Sequence, residues 1–169
     1  MSIQVVPPPL VRRGTSHSAV GRCRVYSATI QVQAAYAPQL LDLTSYLQPE
    51  VQRSGITAGT LTAFCMHTSS ALILNEDEPL LHHDLEAFLE EVASSHRRYL
   101  HDDLSQRQDD VEPDHGRNAH AHLKQMVLGA SITMPIVEGR PWLGCWQHLF
   151  FLELDRVRPR TILLQLTGV

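Results

Sequence analysis

The feature that most constrains the fold is the stretch from Ser131 to the C terminus, which reads as strand and turn with no helix. Residues 146–154 alternate between two faces, and period two is typical of a strand. One face has Trp146, His148, Phe150, Leu152 and Leu154, and the other has Gln147, Leu149, Phe151 and Glu153. Residues 131–137 and 160–167 read as further strands, and Glu138-Gly139 reads as a tight turn. A sheet built from such neighbouring strands is expected to be mainly antiparallel.

The preceding residues add helices between further pairs of strands. In the first helix, Thr44 is the predicted N-cap, Gly55 the stop and Pro49 a kink. An apolar stripe in the second helix, opened by Pro79, indicates core packing. The stripe comprises Leu81, Leu85, Phe88, Leu89 and Val92. Predicted strands cover 25–34, 59–66 and 71–74, and predicted helices cover 42–54, 79–92 and 119–128.

These elements predict one α+β domain over residues 21–169, preceded by a flexible N-terminal arm at residues 1–20. Its mainly antiparallel β-sheet is expected to curl into a sandwich or barrel with a few helices. Within it, Leu149 and Phe151 need cover on the face opposite Phe150 and Leu152. Either association with another copy or packing within the chain would supply that cover.

Composition narrows the class of protein. The 169 residues are 43% hydrophobic and 19% charged, as in ordinary globular proteins, and the net charge of −4 argues against nucleic-acid binding. The three cysteines form no CxxC pair, which indicates neither a disulfide framework nor a zinc–cysteine cage and favours a reduced, cytoplasmic setting. We expect no membrane span, since no stretch is long and apolar enough, and no signal peptide in the proline-interrupted N terminus.

Histidine is the unusual residue, with ten in the chain. Residues 94–118 are polar and lack a sustained period, and a connection of this length is usually functional or disordered. His96, His101, His115, His120 and His122 lie in or beside this stretch.

A second polar break lies between two apolar strands, in the sequence FCMHTSSALILNEDEP. There His67 is followed by three hydroxyl side chains, which fits either a solvated turn or a metal or phosphate site. The chain has neither an HExxH motif nor the spacing of a Cys/His finger. The spacing of its histidines therefore allows a three-histidine metal site but does not by itself indicate one.

Four segments occur in a fixed order along the chain: FCMHTSSALILNE, YLHDD, NAHAHLKQMVLG and GASITMPIVEGRPWLGCWQHLFFLELDRVRPR. This ordered set resembles the YjbQ family, an uncharacterised protein family. The similarity runs in order from about Val25 to the C terminus. Each motif is weak alone, whereas the ordered set is specific.

The resemblance implies that His67, His101 and His122 meet at one metal site, with Glu76 as the catalytic acid or base. His120 falls on a variable position of the family pattern. Cys145 stands where the family usually has threonine, and we expect it to be a small buried residue. We likewise expect Trp146 to be a core residue. The predicted substrate-binding residues are Ser69, Ser70, Asn118, Ser131, Gln147 and Glu153.

The family resemblance also implies a weak thiamine-phosphate synthase activity. This reaction joins hydroxymethylpyrimidine diphosphate to a thiazole phosphate and releases diphosphate. The expected cofactor is a divalent metal: Zn²⁺ or another transition metal suits imidazoles, and Mg²⁺ suits a diphosphate substrate. The alternatives are a metal-dependent hydrolase of phosphate or ester bonds and a non-catalytic binder of a metal or anionic metabolite. The expected ligand is a small anionic or phosphorylated molecule, and the expected assembly is a homotrimer.

Overall fold

Strands dominate the computed structural model, which describes residues 18–106 and 116–169. Three α-helices lie among them: α1 (Thr44–Ser54), α2 (Pro79–Val92) and α3 (Ala119–Leu128). A short 3₁₀ helix spans Leu100–Asp102. The strands are β1 (Arg24–Val32), β2 (Gln39–Asp42), β3 (Gly59–Cys65), β4 (Ser70–Asn75), β5 (Ser131–Val137), β6 (Arg140–Pro141), β7 (His148–Glu153) and β8 (Arg160–Gly168). Most of the predicted N-terminal arm, residues 1–17, lies outside the described residues.

The strands form two antiparallel sheets, which confirms the predicted α+β class. One sheet has the order β1-β8-β3-β5-β6, and the other has the order β2-β7-β4. Every pairing among the described strands is antiparallel, although only β5 and β6 are paired strands that follow one another along the chain. Throughout residues 18–106 and 116–169, no helix has the length and apolarity needed to cross a membrane.

Strand β7 is buried on both faces by its own chain. Leu149 and Phe151 pack into the core between the two sheets, and Phe150 and Leu152 pack with Leu89 of α2 and with residues of α3. Each of these four side chains is at most 2% exposed. The two-sided apolar pattern is therefore satisfied within one protomer, and it gives no independent reason for association.

Local differences from the sequence prediction arise around α1 and α2. Strand β2 precedes α1 and was not predicted, since four residues are too few to establish a period. Thr44 is the first helical residue of α1 rather than its cap, and its hydroxyl accepts a hydrogen bond from the Leu149 N–H. In α2, the predicted stripe is only partly buried: Phe88 is 52% exposed and Val92 is 41% exposed. The carboxylate of Glu78 caps α2 by accepting from the N–H groups of its first turn.

The ion pair that joins α2 to α3 predicts an acid-sensitive stability. Lys124 Nζ lies 3.0 Å from Glu90 Oε2, and Lys124 is 5% exposed. Burial raises the pKa of Glu90, but hydrogen bonds from Lys124, Ser94 and Ser95 outweigh it and lower the pKa to about 2. A carboxyl whose pKa is depressed on folding stabilises the protein above its unfolded pKa, and this stabilisation is lost as pH falls toward 2.

Glu90→Gln should therefore reduce the acid sensitivity of folding. We expect the free energy of unfolding, measured in urea between pH 6 and pH 3, to fall less steeply for this variant than for the wild type. Glu86→Gln, one turn earlier on α2, serves as the matched control and should keep the wild-type slope. Equal slopes for Glu90→Gln and the wild type would contradict this assignment.

Candidate functional site

Two of the predicted histidines, His101 and His122, lie against each other. Their ring centroids are 5.0 Å apart, and the rings meet edge to face at 80°. His122 Nδ1 lies 2.8 Å from the Thr68 carbonyl oxygen. A carbonyl oxygen only accepts, so Nδ1 carries the proton and donates, which leaves the lone pair of a neutral ring on Nε2. The arrangement orients His122 with one nitrogen fixed by the backbone.

His67 has a different role in this structure. The backbone N–H of Thr161 donates to His67 Nε2 at 2.9 Å, so the neutral ring carries its proton on Nδ1. Burial lowers the pKa of His67, the nearby Arg160 guanidinium lowers it further, and Glu153 opposes this shift. The neutral imidazole thus joins the segment after β3 to the start of β8.

The three predicted metal ligands do not form a ligand set in this conformation. Within residues 18–106 and 116–169, His67, His101 and His122 do not supply three ligand atoms within 4.8 Å of one another. Ligation through His67 Nε2 would require release of the Thr161 N–H, and ligation through Nδ1 would require loss of its proton. The three-histidine metal site stays a prediction.

Beneath this region, a buried ion pair joins the end of β7 to the start of β8. Arg160 donates to both oxygens of Glu153, from Nε and Nη2 at 2.7 Å each. Arg160 Nη2 also lies 3.3 Å from the Ser69 hydroxyl. Glu153 is 0% exposed and Ser69 is 6% exposed, so these predicted substrate-binding residues lie inside the protein. Ser70 is also fully buried, with its hydroxyl 3.1 Å from Cys65 Sγ.

Asp102 holds the histidine-bearing segments together. Its Oδ1 accepts from the N–H groups of Asn118 and Ala119, both at 3.0 Å, at the start of α3. This carboxylate accepts from backbone N–H groups that have no partner within the helix, and its negative charge is stabilised by the positive end of the helix dipole. The contact fixes His101 beside α3, and no sequence pattern predicts it. Asn118 is 6% exposed, and its Oδ1 is buried without a hydrogen-bond partner among the described residues.

Two adjoining cavities open beside these residues and share Tyr99 and Leu100. The first, of about 600 Å³, has an imidazole side and an apolar side. The second, of about 510 Å³, has guanidinium groups and carboxylates on its wall. The first is lined by Thr68, Tyr99, Leu100, His101, Ala119, His122 and Leu123. The second is lined by Arg97, Arg98, Tyr99, Leu100, Asp102, Asp103, Leu104 and Arg117.

The arginines of the second cavity were missed by sequence analysis, because nothing in the sequence brings residue 117 to residues 97 and 98. All three side chains are exposed. Within the described part of the chain, none of them forms an ion pair with a carboxylate, whereas Asp102 caps α3 and Asp103 accepts from Ser105 and Gln106. The lining of the second cavity contains three arginines and two aspartates, a net formal charge of +1, and its guanidinium groups offer donors to an anion.

The remaining predicted site residues lie elsewhere. Glu76 follows β4 and lines neither cavity. Ser131 is exposed at the start of β5, and the side-chain oxygen of the exposed Gln147 accepts from the Gly144 N–H. Two burial predictions were wrong: Cys145 is exposed, and Trp146 is 68% exposed. Both residues precede β7, which begins only at His148, so they sit in the turn rather than on the strand.

Two antiparallel sheets with three α-helices among the described residues define an α+β fold, and His101 and His122 lie beside α3. Comparison with known proteins identifies the family. The family model described as "UPF0047 protein YjbQ-like" matches residues 28–169. The chain belongs to this family.

Its relatives include proteins from archaea and bacteria. A UPF0047 protein of Methanothermobacter thermautotrophicus is 33% identical over 144 residues, which cover 85% of this chain and 93% of the relative. UPF0047 protein YugU of Bacillus subtilis is 28% identical and covers 83% and 98% of the two chains. The crystal structure of a YbjQ-like protein of unknown function from Sulfolobus solfataricus has a TM-score of 0.79 at 32% identity, covering 88% of this chain and 100% of that chain.

Proposed function

We propose that the chain binds a small diphosphate ester across the two adjoining cavities and transfers its organic group, the reaction class of thiamine-phosphate synthases. The observation that carries this proposal is the shared wall at Tyr99 and Leu100. These two residues line both a cavity with apolar and imidazole groups and a cavity with three arginines. A diphosphate ester has the same two parts, an organic group and an anionic leaving group.

The guanidinium groups suit the leaving diphosphate. Each presents several donors to phosphate oxygens, and charge-assisted hydrogen bonds of this kind are about twice as strong as neutral ones. As the bond between carbon and the diphosphate oxygen breaks, the diphosphate takes the electron pair and gains negative charge. Arg97, Arg98 and Arg117 would stabilise that charge, while the nucleophilic nitrogen of the acceptor forms the new bond to carbon.

His122 is the proposed proton-transfer group. The Thr68 carbonyl fixes its Nδ1–H, so Nε2 is the nitrogen that takes a proton from water and gives it to the leaving diphosphate oxygen, since the ring nitrogen of the acceptor carries no proton to remove. His101 packs on its edge and restricts the ring. A divalent metal belongs to the same proposal, as Zn²⁺ or another transition metal bound by histidine, or as Mg²⁺ held by the diphosphate. The homotrimer implied by the family resemblance also remains a proposal.

Binding of inorganic diphosphate tests the anion site. Removing one guanidinium that donates to a phosphate costs about 1.5–3 kcal/mol, or roughly tenfold to a hundredfold in affinity. Arg98→Ala and Arg117→Ala should each weaken diphosphate binding by about that factor in calorimetry at fixed salt. Arg140→Ala, an exposed arginine on β6 that lines neither cavity, should bind like the wild type. Equal affinity in all four proteins would contradict the anion site.

Turnover separates the candidate functions. With hydroxymethylpyrimidine diphosphate and thiazole phosphate together, a synthase forms the joined product with one diphosphate released for each product. Diphosphate release without the thiazole partner identifies a hydrolase instead. Arginine-dependent binding without turnover of the substrate pair identifies a non-catalytic binding protein and refutes the transferase.

A further inference from the structure

A second cluster of metal-ligating side chains lies outside both cavities. Asp42, at the end of β2, Asp77, after β4, and His148, at the start of β7, each place one ligand atom within 4.8 Å of the others. Asp42 Oδ2 and His148 Nδ1 are 3.1 Å apart. We propose that these three side chains bind a divalent transition-metal ion, and that His82 of α2, which lies beside Asp77 but outside this group of three, turns toward the ion as a fourth ligand.

The topology brings these residues together. In the register of the second sheet, Asp42 pairs with Phe150 and Asn75 pairs with His148, so the end of β2, the start of β7 and the end of β4 meet at one edge. Asp77 follows Asn75 by two residues. The three donors therefore stand on adjoining strand ends, which are more rigid positions than a free loop.

His82 adds an independent sign of a missing partner. Its Nε2 is buried and makes no hydrogen bond among the described residues, although it lies 3.4 Å from Asp77 Oδ1. A buried polar nitrogen without a partner is costly. A separation of about 3.3–3.4 Å is also the spacing of two ligand atoms around a tetrahedral ion with bonds of about 2.0–2.1 Å. A metal near Asp77 would give the His82 nitrogen its partner.

Phe150 orients both imidazoles. The His82 ring meets Phe150 edge to face at a centroid distance of 5.3 Å, and the His148 ring stacks on it at 6.1 Å. Phe150 is 2% exposed, so the rings rest on a packed surface. At His148, the metal would take the place of the proton now shared between Nδ1 and the Asp42 carboxylate.

The donor set defines the class of ion. Two imidazole nitrogens and two carboxylate oxygens favour Zn²⁺ and other first-row divalent metals over Mg²⁺ and Ca²⁺, which prefer oxygen ligands alone. Bound there, the ion would join the first turn of α2 to three strand ends. Since it binds the folded chain preferentially, it should raise the melting temperature.

The test measures Zn²⁺ binding to the metal-free full chain by competition with a coloured chelator, together with the melting temperature. We expect about one equivalent of Zn²⁺ at this site. His148→Ala and Asp77→Asn should each weaken it at least tenfold and abolish the Zn²⁺-induced rise in melting temperature. Asp77 is exposed, so its variant is expected to fold even if His148→Ala does not. His83→Ala, the exposed neighbour of His82 on α2, is the matched control and should bind like the wild type.

His122→Ala distinguishes this site from the one near the two cavities. We expect His122→Ala to keep the Zn²⁺ that Asp77→Asn loses. Zn²⁺ binding that is lost in His122→Ala but unchanged in Asp77→Asn would overturn the proposal, and so would a wild-type chain that binds no Zn²⁺ at micromolar concentration. Because no arginine of the diphosphate cavity takes part, the outcome is independent of the proposed transferase.

Discussion

Replacing Arg160 with alanine is expected to lower the free energy of unfolding by about 3–5 kcal/mol, because it leaves a buried carboxylate without its counter-ion. Glu153 is 0% exposed, Arg160 is 4% exposed, and the guanidinium donates to both carboxylate oxygens. The loss also removes the donor near the Ser69 hydroxyl. Urea unfolding at neutral pH measures the change.

Two further variants separate the buried pair from general effects of removing an arginine. Arg53→Ala removes an exposed arginine that pairs with Glu50 on the surface of α1, and it should cost no more than about 1 kcal/mol. The double variant Arg160→Met, Glu153→Leu removes both charges together and should recover much of the stability lost in Arg160→Ala. A loss below about 1 kcal/mol in Arg160→Ala would show that water reaches the Glu153 carboxylate.

Much of the fold was predictable because its elements have strong local signals. The antiparallel class followed from strands in neighbouring pairs, and helix α3 was predicted with its observed bounds, Ala119–Leu128. Strand β2 was missed because its partner is β7, far along the chain, and four residues carry no period of their own. Trp146 was assigned to the core because the alternation was extended two residues before the strand, and Cys145 was expected to be buried because it is a small residue at the family's threonine position.

The candidate site was only partly predictable, for a related reason. The contact between His101 and His122 accompanies the capping of α3 by Asp102, and nothing local marks that residue as a cap for a helix so far along the chain. A sequence also does not show whether a charged side chain points to solvent or into the protein. Glu153 was predicted to bind substrate, whereas its pairing with Arg160 allows both side chains to be buried.

Among the histidines, His122 is expected to have the largest effect on turnover. If its Nε2 transfers the proton in the proposed reaction, removing that nitrogen should lower kcat/KM by about 10²–10⁴-fold. His122→Asn is the sharpest variant, since the amide NH₂ can occupy the place of Nδ1–H and still donate to the Thr68 carbonyl, while no group replaces Nε2. His122→Gln places an amide near Nε2, but an amide does not exchange a proton near neutral pH, so activity retained by this variant would indicate hydrogen bonding at that position instead of proton transfer. His120→Ala, on the same helix but outside both cavities, should retain wild-type kcat/KM. A His122→Asn protein that folds normally, binds diphosphate with wild-type affinity and keeps more than half of kcat/KM would remove proton transfer by His122 from the mechanism.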